Sequence, residues 1–226
     1  HPLRSPWTLY FDSPKSKTLS PTISSSVSWK GSNLRKVMTV DSVEEFWGLY
    51  NNVVSPSELP VKANYYFFKN GILPAWEDAE NNQGGVWSVQ LSRVKSRDSI
   101  DRLWLYSLLS AIGNTFEATS TINVSGSQSV SPISDLVNGV VISVRADFYR
   151  IGVWTREAHD DSVQDLNPRD ENTIEPRLLS IGQHFKVSIL GYGIDEKIDA
   201  VGIETGVTFE RHRKGDKKAK KNKIVL

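Results

Sequence analysis

The chain contains no cysteine. No disulfide, Cys-ligated zinc or thiol nucleophile is therefore available, and packing alone must hold the fold. At 226 residues it fits one domain with decorated loops and can bury a sizeable core. Seven tryptophans contribute to that packing, yet not all sit where a core needs them. Trp76 falls in Pro74-Ala75-Trp76-Glu77-Asp78, inside a loop-like stretch rich in Asn and Gly. A buried indole N–H wants a partner, so packing accounts poorly for a loop tryptophan. An indole beside a carboxylate suits a flat, electron-poor heterocycle. The ring stacks on its face and the carboxylate accepts hydrogen bonds from its edge.

Lys+Arg 27 against Asp+Glu 26 leaves a net charge of +1. The bulk field draws the chain to neither long nucleic acids nor anionic membranes, so anion binding must be local. No apolar run approaches the ~20 residues of a membrane span. No signal-peptide pattern is present. Asn123-Val124-Ser125 matches a glycosylation sequon with no secretory context to support it. A reducing, cytoplasmic setting fits. The lysine run Lys214 to Lys223 reads as a solvated tail, a contact for RNA phosphates or a nuclear signal.

Strands are expected at residues 7–11, 34–40, 64–69, 86–91, 139–145, 150–155 and 200–211, with Asn70-Gly71 as a turn. Ser42 and Glu45 form a capping box that opens a helix ending near Asn51. A second helix covers 98–112, with Gly113 as its C′ residue. A third covers 175–186, with Pro176 in its first turn. Loops are expected at 13–28 and 119–135. Hairpin-like strands with three separated helices define an α+β domain.

Two helices carry surplus apolar surface. Ile100, Leu103, Trp104, Leu108 and Ala111 form one face of the second, while Leu105 and Leu109 fall outside it. In the first, Phe46, Leu49 and Tyr50 can face inward while Val43 and Trp47 stand together at i and i+4. Either these helices are buried on two sides, or Val43, Trp47, Leu105 and Leu109 make an exposed strip. Such a strip suits an amphipathic partner helix.

Several motifs recur in order: His1-Pro2-Leu3, Trp7, Lys15-Ser16-Lys17-Thr18, Val43-Glu44-Glu45-Phe46-Trp47-Gly48-Leu49-Tyr50, Phe68-Lys69-Asn70-Gly71-Ile72-Leu73-Pro74-Ala75-Trp76-Glu77-Asp78, Gly84-Gly85-Val86-Trp87, Ile100-Asp101-Arg102-Leu103-Trp104 and Val144-Arg145-Ala146. Together they resemble the eukaryotic translation initiation factor 4E family, the mRNA cap-binding proteins. The likeness is firm from His1 to Trp154 and loose beyond. It implies a curved antiparallel β-sheet of about eight strands backed by three helices on its convex face. One monomeric cap-binding domain would span 1–213, with loop insertions near 13–28 and 119–135, before a basic segment at 214–226. The cap guanine would enter the concave side. The scaffold initiation factor 4G and 4E-binding regulatory proteins would dock a Tyr-x-x-x-x-Leu-apolar helix on the other. No metal or cofactor is implied.

The resemblance also assigns residues. Trp76 matches one of two indoles that sandwich the base. The family's Lys-Ser-Lys-Thr motif runs straight into tryptophan, whereas here Leu19 follows; Trp29, just before Asn33-Leu34-Arg35, is the candidate after an insertion. N7-methylguanine is cationic, and a cation on an indole face gains about 0.5–2 kcal/mol. Glu77 would accept from the guanine edge. Trp154 would touch the methyl group, and Arg145 and Arg150 would hold phosphates. The partner surface would comprise His1, Pro2, Val43, Trp47, Leu105, Tyr106 and Leu109. Three departures stand out. Val86 replaces a common basic residue, Asn64 an acid that would orient Arg145, and Tyr106 an acid on the convex helix.

Other classes remain open. His159-Asp160-Asp161 allows acid–base or metal chemistry on a loop. A repressor-type relative would bind cap without the scaffold. A non-cap scaffold would use the convex strip alone.

Overall fold

A computed structural model describes residues 1–14, 34–117, 135–158, 174–196, 198, 202–203, 205–212 and 223–226. Eight strands form one curved antiparallel sheet: β1 (Pro2–Asp12), β2 (Arg35–Ser42), β3 (Asn64–Lys69), β4 (Gly85–Ser92), β5 (Val137–Val144), β6 (Phe148–Thr155), β7 (Thr208–Arg211) and β8 (Lys223–Val225). Their spatial order is β2-β1-β3-β5-β6-β4-β7-β8. Three helices, α1 (Val43–Tyr50), α2 (Ile100–Ile112) and α3 (Ile174–His184), cover one face. The α+β expectation therefore holds. Among the described residues no helix is long and apolar enough to cross a membrane.

The helices form where the sequence signals them, with local departures. Ser42 is extended, and its Oγ accepts from the Glu45 N–H at 3.3 Å. The Glu45 carboxylate reaches one residue further back than a standard box, accepting from the Asp41 N–H at 3.0 Å. In α2, Ile100, Trp104, Ser107, Leu108 and Ala111 are buried. Ser107 fits an apolar face because its hydroxyl donates to Leu103 O at 2.9 Å. Gly113 is not the left-handed C′ residue. It stays right-handed as the C-cap, and Asn114 takes the positive φ of 56°, which Asn tolerates. Beyond His184 the third helix widens into a π-helical turn over Phe185–Ile189. The expected strand at 200–211 is cut to Thr208–Arg211, and the last residues add β8 beside it.

The middle of the sheet packs on both sides. Successive side chains alternate between faces. Tyr65 and Phe67 of β3, Trp87, Val89 and Leu91 of β4, Val140 and Ile142 of β5, and Ile151 and Val153 of β6 join the main core with the helices. Trp7 stacks on Phe67 with centroids 5.2 Å apart. The alternate residues face the concave side, where Tyr10, Phe68, Ile72 and Val141 form a second small core.

Gly139 makes that second core possible. The Phe68 ring lies flat over it, so that a Cβ there would fall 2.5 Å from ring atoms. Phe68 then meets Trp154 edge-on, at 5.6 Å and 73°. Gly139→Ala should destabilise the fold by ~1–3 kcal/mol through overpacking and disturb Trp154. Urea unfolding with near-UV circular dichroism reads both, and an unchanged midpoint would contradict the contact.

Candidate functional site

The concave floor is a grid set by strand register. One row runs Phe68, Gly139, Trp154, Val86, Glu210. The next runs Tyr66, Val141, Gly152, Ser88, Thr208, and a third Asn64, Ser143, Arg150, Gln90. A cleft of about 480 Å³ opens over them, and Trp76, Arg145, Arg211 and His212 complete its lining. It is aromatic in the first row and carries Arg150 in the third with Arg145 beyond it.

Arg145 sits where β5 turns back into β6, its N–H donating to Phe148 O at 2.8 Å. Its Nη1 donates to Val144 O at 2.9 Å and to Asn64 Oδ1 at 3.1 Å. A neutral amide thus orients this guanidinium where an acid was the expectation. Asn64 Nδ2 in turn donates to Asp12 Oδ2 at 3.5 Å, so a carboxylate stands one residue behind. Arg150 Nη2 donates to the buried Ser88 Oγ at 3.1 Å. Both arginines are half-buried with donors left over, a suitable pairing for an anion.

Trp76 is 45% exposed at the cleft mouth. Its loop is held by side chains that the sequence reading passed over. Asp78 accepts from Leu73 N and Glu80 N, both at 2.9 Å. The fully buried Asn81 donates to Leu73 O at 2.8 Å and Ala75 O at 2.9 Å. Asn138 of β5 donates to Glu80 O at 2.6 Å and Asn81 Oδ1 at 3.0 Å. Polar residues in a loop sequence read as solvated; these are structural. Gly84 is needed at the exit, because a Cβ there would lie 1.7 Å from Thr155 O. Glu77 is exposed beside Trp76 and does not line the cleft. Trp29 and residues 159–161 lie outside the described residues.

β7 falls within the strand expected at 200–211, but no site residue was expected from it. It brings Glu210, Arg211 and His212 into the lining. The His212 ring packs on Trp154 with centroids 4.2 Å apart, and the backbone N–H of His212 donates to Gly84 O at 2.9 Å. Burial pushes its imidazole down to about 4, leaving it neutral near pH 7. The pairing of β7 with β4 is a long-range contact that no local pattern announces.

On the opposite face, Val43 N donates to His1 O at 2.9 Å and Pro2 pairs with Ser42, placing His1 and Pro2 beside α1. Trp47 is 38% and Tyr106 41% exposed, with Val43 similar. Leu105 and Leu109 differ from expectation: they are half-buried and pack against the core. The exposed apolar strip is therefore narrower and more aromatic, with Trp47 edge-on to Tyr50 at 5.8 Å.

This is the architecture of a two-faced binding protein, an aromatic and cationic cleft on one side of a sheet and an apolar helical face on the other. A family model described as eukaryotic initiation factor 4E matches residues 2–225. Eukaryotic translation initiation factor 4E-1 of Lactuca sativa is 36% identical over 214 residues, 95% of this chain and 73% of that protein. Its Schizosaccharomyces pombe counterpart is 36% identical over 187 residues, 82% and 68% of the two chains. Ascaris suum eIF4E-3, solved with an m7G cap, superposes with a TM-score of 0.70 at 26% identity, covering 100% of this chain and 97% of that one. Caenorhabditis elegans eIF4E-3, solved with the 4E-binding protein Mextli and a cap analog, gives 0.62 at 27% identity, over 93% and 90%. The chain belongs to the eukaryotic initiation factor 4E family.

His212 makes stability pH-dependent. Its folded value lies below the ordinary 6.5, so the unfolded chain takes up the proton first. Stability is full above about pH 6.5 and falls as pH drops towards 4, by up to ~3 kcal/mol. Burial also lowers His184, which adds to the slope. His212→Phe should flatten part of it in urea titrations between pH 7 and 4. A slope identical to wild type would refute the His212 contribution.

Proposed function

We propose that this chain binds the 7-methylguanosine cap of mRNA in the concave cleft and recruits a 4G-type initiation scaffold through α1 and α2. The observation that carries the reading is the convergence in one cleft of Trp76, Trp154, Arg145 and Arg150, with Trp47 and Tyr106 exposed on separate helices.

Trp76 stacks on one face of the base, and Trp29 is the candidate for the other. Base–aromatic stacking contributes about 1–3 kcal/mol. The charge that N7-methylation adds strengthens it by a further ~0.5–2 kcal/mol without changing the hydrogen-bonding edge. Selection for the methylated base follows from that difference. Glu77, next to Trp76, accepts from N1–H and the 2-amino group. Trp154, held edge-on by Phe68, contacts the methyl group. Arg145 and Arg150 fork onto the phosphate oxygens. With Val86 in place of a cation, these two arginines carry most of the charge neutralisation, and the phosphate grip is weaker than three cations would give.

On the helical side, Val43, Trp47, Tyr106 and the outer edges of Leu105 and Leu109 accept an amphipathic helix of the Tyr-x-x-x-x-Leu-apolar type. Tyr106 makes this contact more stacked than ionic.

Tryptophan fluorescence on titrating 7-methyl-GTP beside GTP tests the cleft. The methylated ligand should bind about two- to thirtyfold more tightly, the range of the cation–indole term. Trp76→Ala and Trp29→Ala should each abolish most of the quenching. Trp47→Ala should leave the nucleotide response intact while losing a scaffold-type peptide. Equal binding of the two nucleotides would defeat the cap reading.

A further inference from the structure

Tyr66 is the one large side chain among the middle-row residues that line the cleft. Across the sheet from it stand Val141, Gly152, Ser88 and Thr208, so the floor is low on that side and Tyr66 rises at its edge. It is half-buried and lines the cleft together with Trp76, Arg145 and Arg150. The two polar side chains behind the arginines are already engaged. Asn64 holds Arg145 at 3.1 Å, and Ser88 holds Arg150 at 3.1 Å. The Tyr66 hydroxyl, by contrast, makes no hydrogen bond among the described residues, although it lies in the field of both Asp12 and Arg145. Burial first, and Asp12 second, push the phenol up to about 12. It therefore keeps its proton at any physiological pH and can serve as a donor.

A free donor coupled to a guanidinium suits an anionic oxygen shared between the two. The position also fits: Tyr66 stands between the aromatic row with Trp154 and the row with Arg150, where a chain leaving the base crosses towards the arginines. Val86, in the aromatic row, leaves that crossing short of one cation.

We infer that the Tyr66 hydroxyl donates a hydrogen bond to the phosphate chain of the bound nucleotide beside Arg145, making Tyr66 a determinant of phosphate-dependent affinity. This rests on the cap-binding reading of the cleft. It assigns to a neutral hydroxyl part of the work that a third cation would do. A hydroxyl donates one directed hydrogen bond without adding charge, so the contact selects a phosphate oxygen at one place and leaves the cleft's net charge unchanged.

The test compares wild type and Tyr66→Phe with two ligands, 7-methylguanosine and 7-methyl-GTP, by tryptophan fluorescence. Phe keeps the ring and its packing, and a thermal midpoint within about 2 °C of wild type, under 1 kcal/mol for a domain of this size, certifies the fold. The variant should bind 7-methyl-GTP about tenfold more weakly, a factor worth ~1.4 kcal/mol, with its nucleoside affinity within about twofold, under 0.5 kcal/mol. Equal loss for both ligands would place Tyr66 against the base or ribose and overturn the assignment. No loss for either would overturn it too. Wild type binding neither ligand would sink the cap reading itself, and this assignment with it.

Discussion

The register of β5 against β3 and β6 is the constraint on which everything else depends. All eight residues of β5 are buried, so hydrophobicity alone does not say which face each should take. Gly139 decides it. Only there can the Phe68 ring lie over the strand, and that puts Val140 and Ile142 under the helices while Val141 and Ser143 floor the cleft. A slip of one residue would exchange the faces completely. Val141 and Ser143 would then enter the main core, Ser143 as a hydroxyl in apolar surroundings, while Val140 and Ile142 floored the cleft. The cleft and the core are thus alternate positions of the same strands, and neither can be altered without the other.

The cleft's electrostatics follow from how its cations are held. An acid against Arg145 would orient it and also neutralise it. Asn64 orients it at 3.1 Å through a dipole and passes the interaction back to Asp12. More of the guanidinium's charge is left for a ligand. Ser88 does the same for Arg150. Neutral supports offset, in part, the cation missing at Val86. The ring packed on Trp154 is neutral too, the His212 imidazole being kept uncharged by burial. A cationic methylated base next to it meets no competing positive charge from that ring.

Legibility in the sequence tracked the range of the interactions involved. The Ser42 cap is a contact over three residues and could be read directly. So could β3 and the turn at Asn70-Gly71, where Gly71 takes a φ of 92°. The start of β1 could not: Pro2, Arg4 and Pro6 carry no strand signal, and the strand spans them between the pairings Pro2–Ser42 and Trp7–Val40 across a register shift. The helical wheel turned Leu105 and Leu109 outward but could not know how deeply α2 would settle against the core. The resemblance pointed to Trp76, Trp154, Arg145 and Arg150, which the structure brings to one cleft, and to Glu77, which does not line it. Asn81, Asn138, Tyr66 and His212 were not legible, because each acts through a partner distant in sequence. Asn138 reaches 57 residues back to Asn81, and His212 meets Trp154 only after β7 has paired with β4.

The central claim is that one sheet separates two binding events onto opposite faces. Seven indole N–H groups give a direct readout by nuclear magnetic resonance with assigned tryptophan side chains. Titration with 7-methyl-GTP should shift Trp76 and Trp154 strongly and leave Trp47 in place. Later addition of a Tyr-x-x-x-x-Leu-apolar peptide should shift Trp47 without displacing the nucleotide. A nucleotide that moves Trp47 but not Trp76 or Trp154, or a peptide that expels it, would contradict the account.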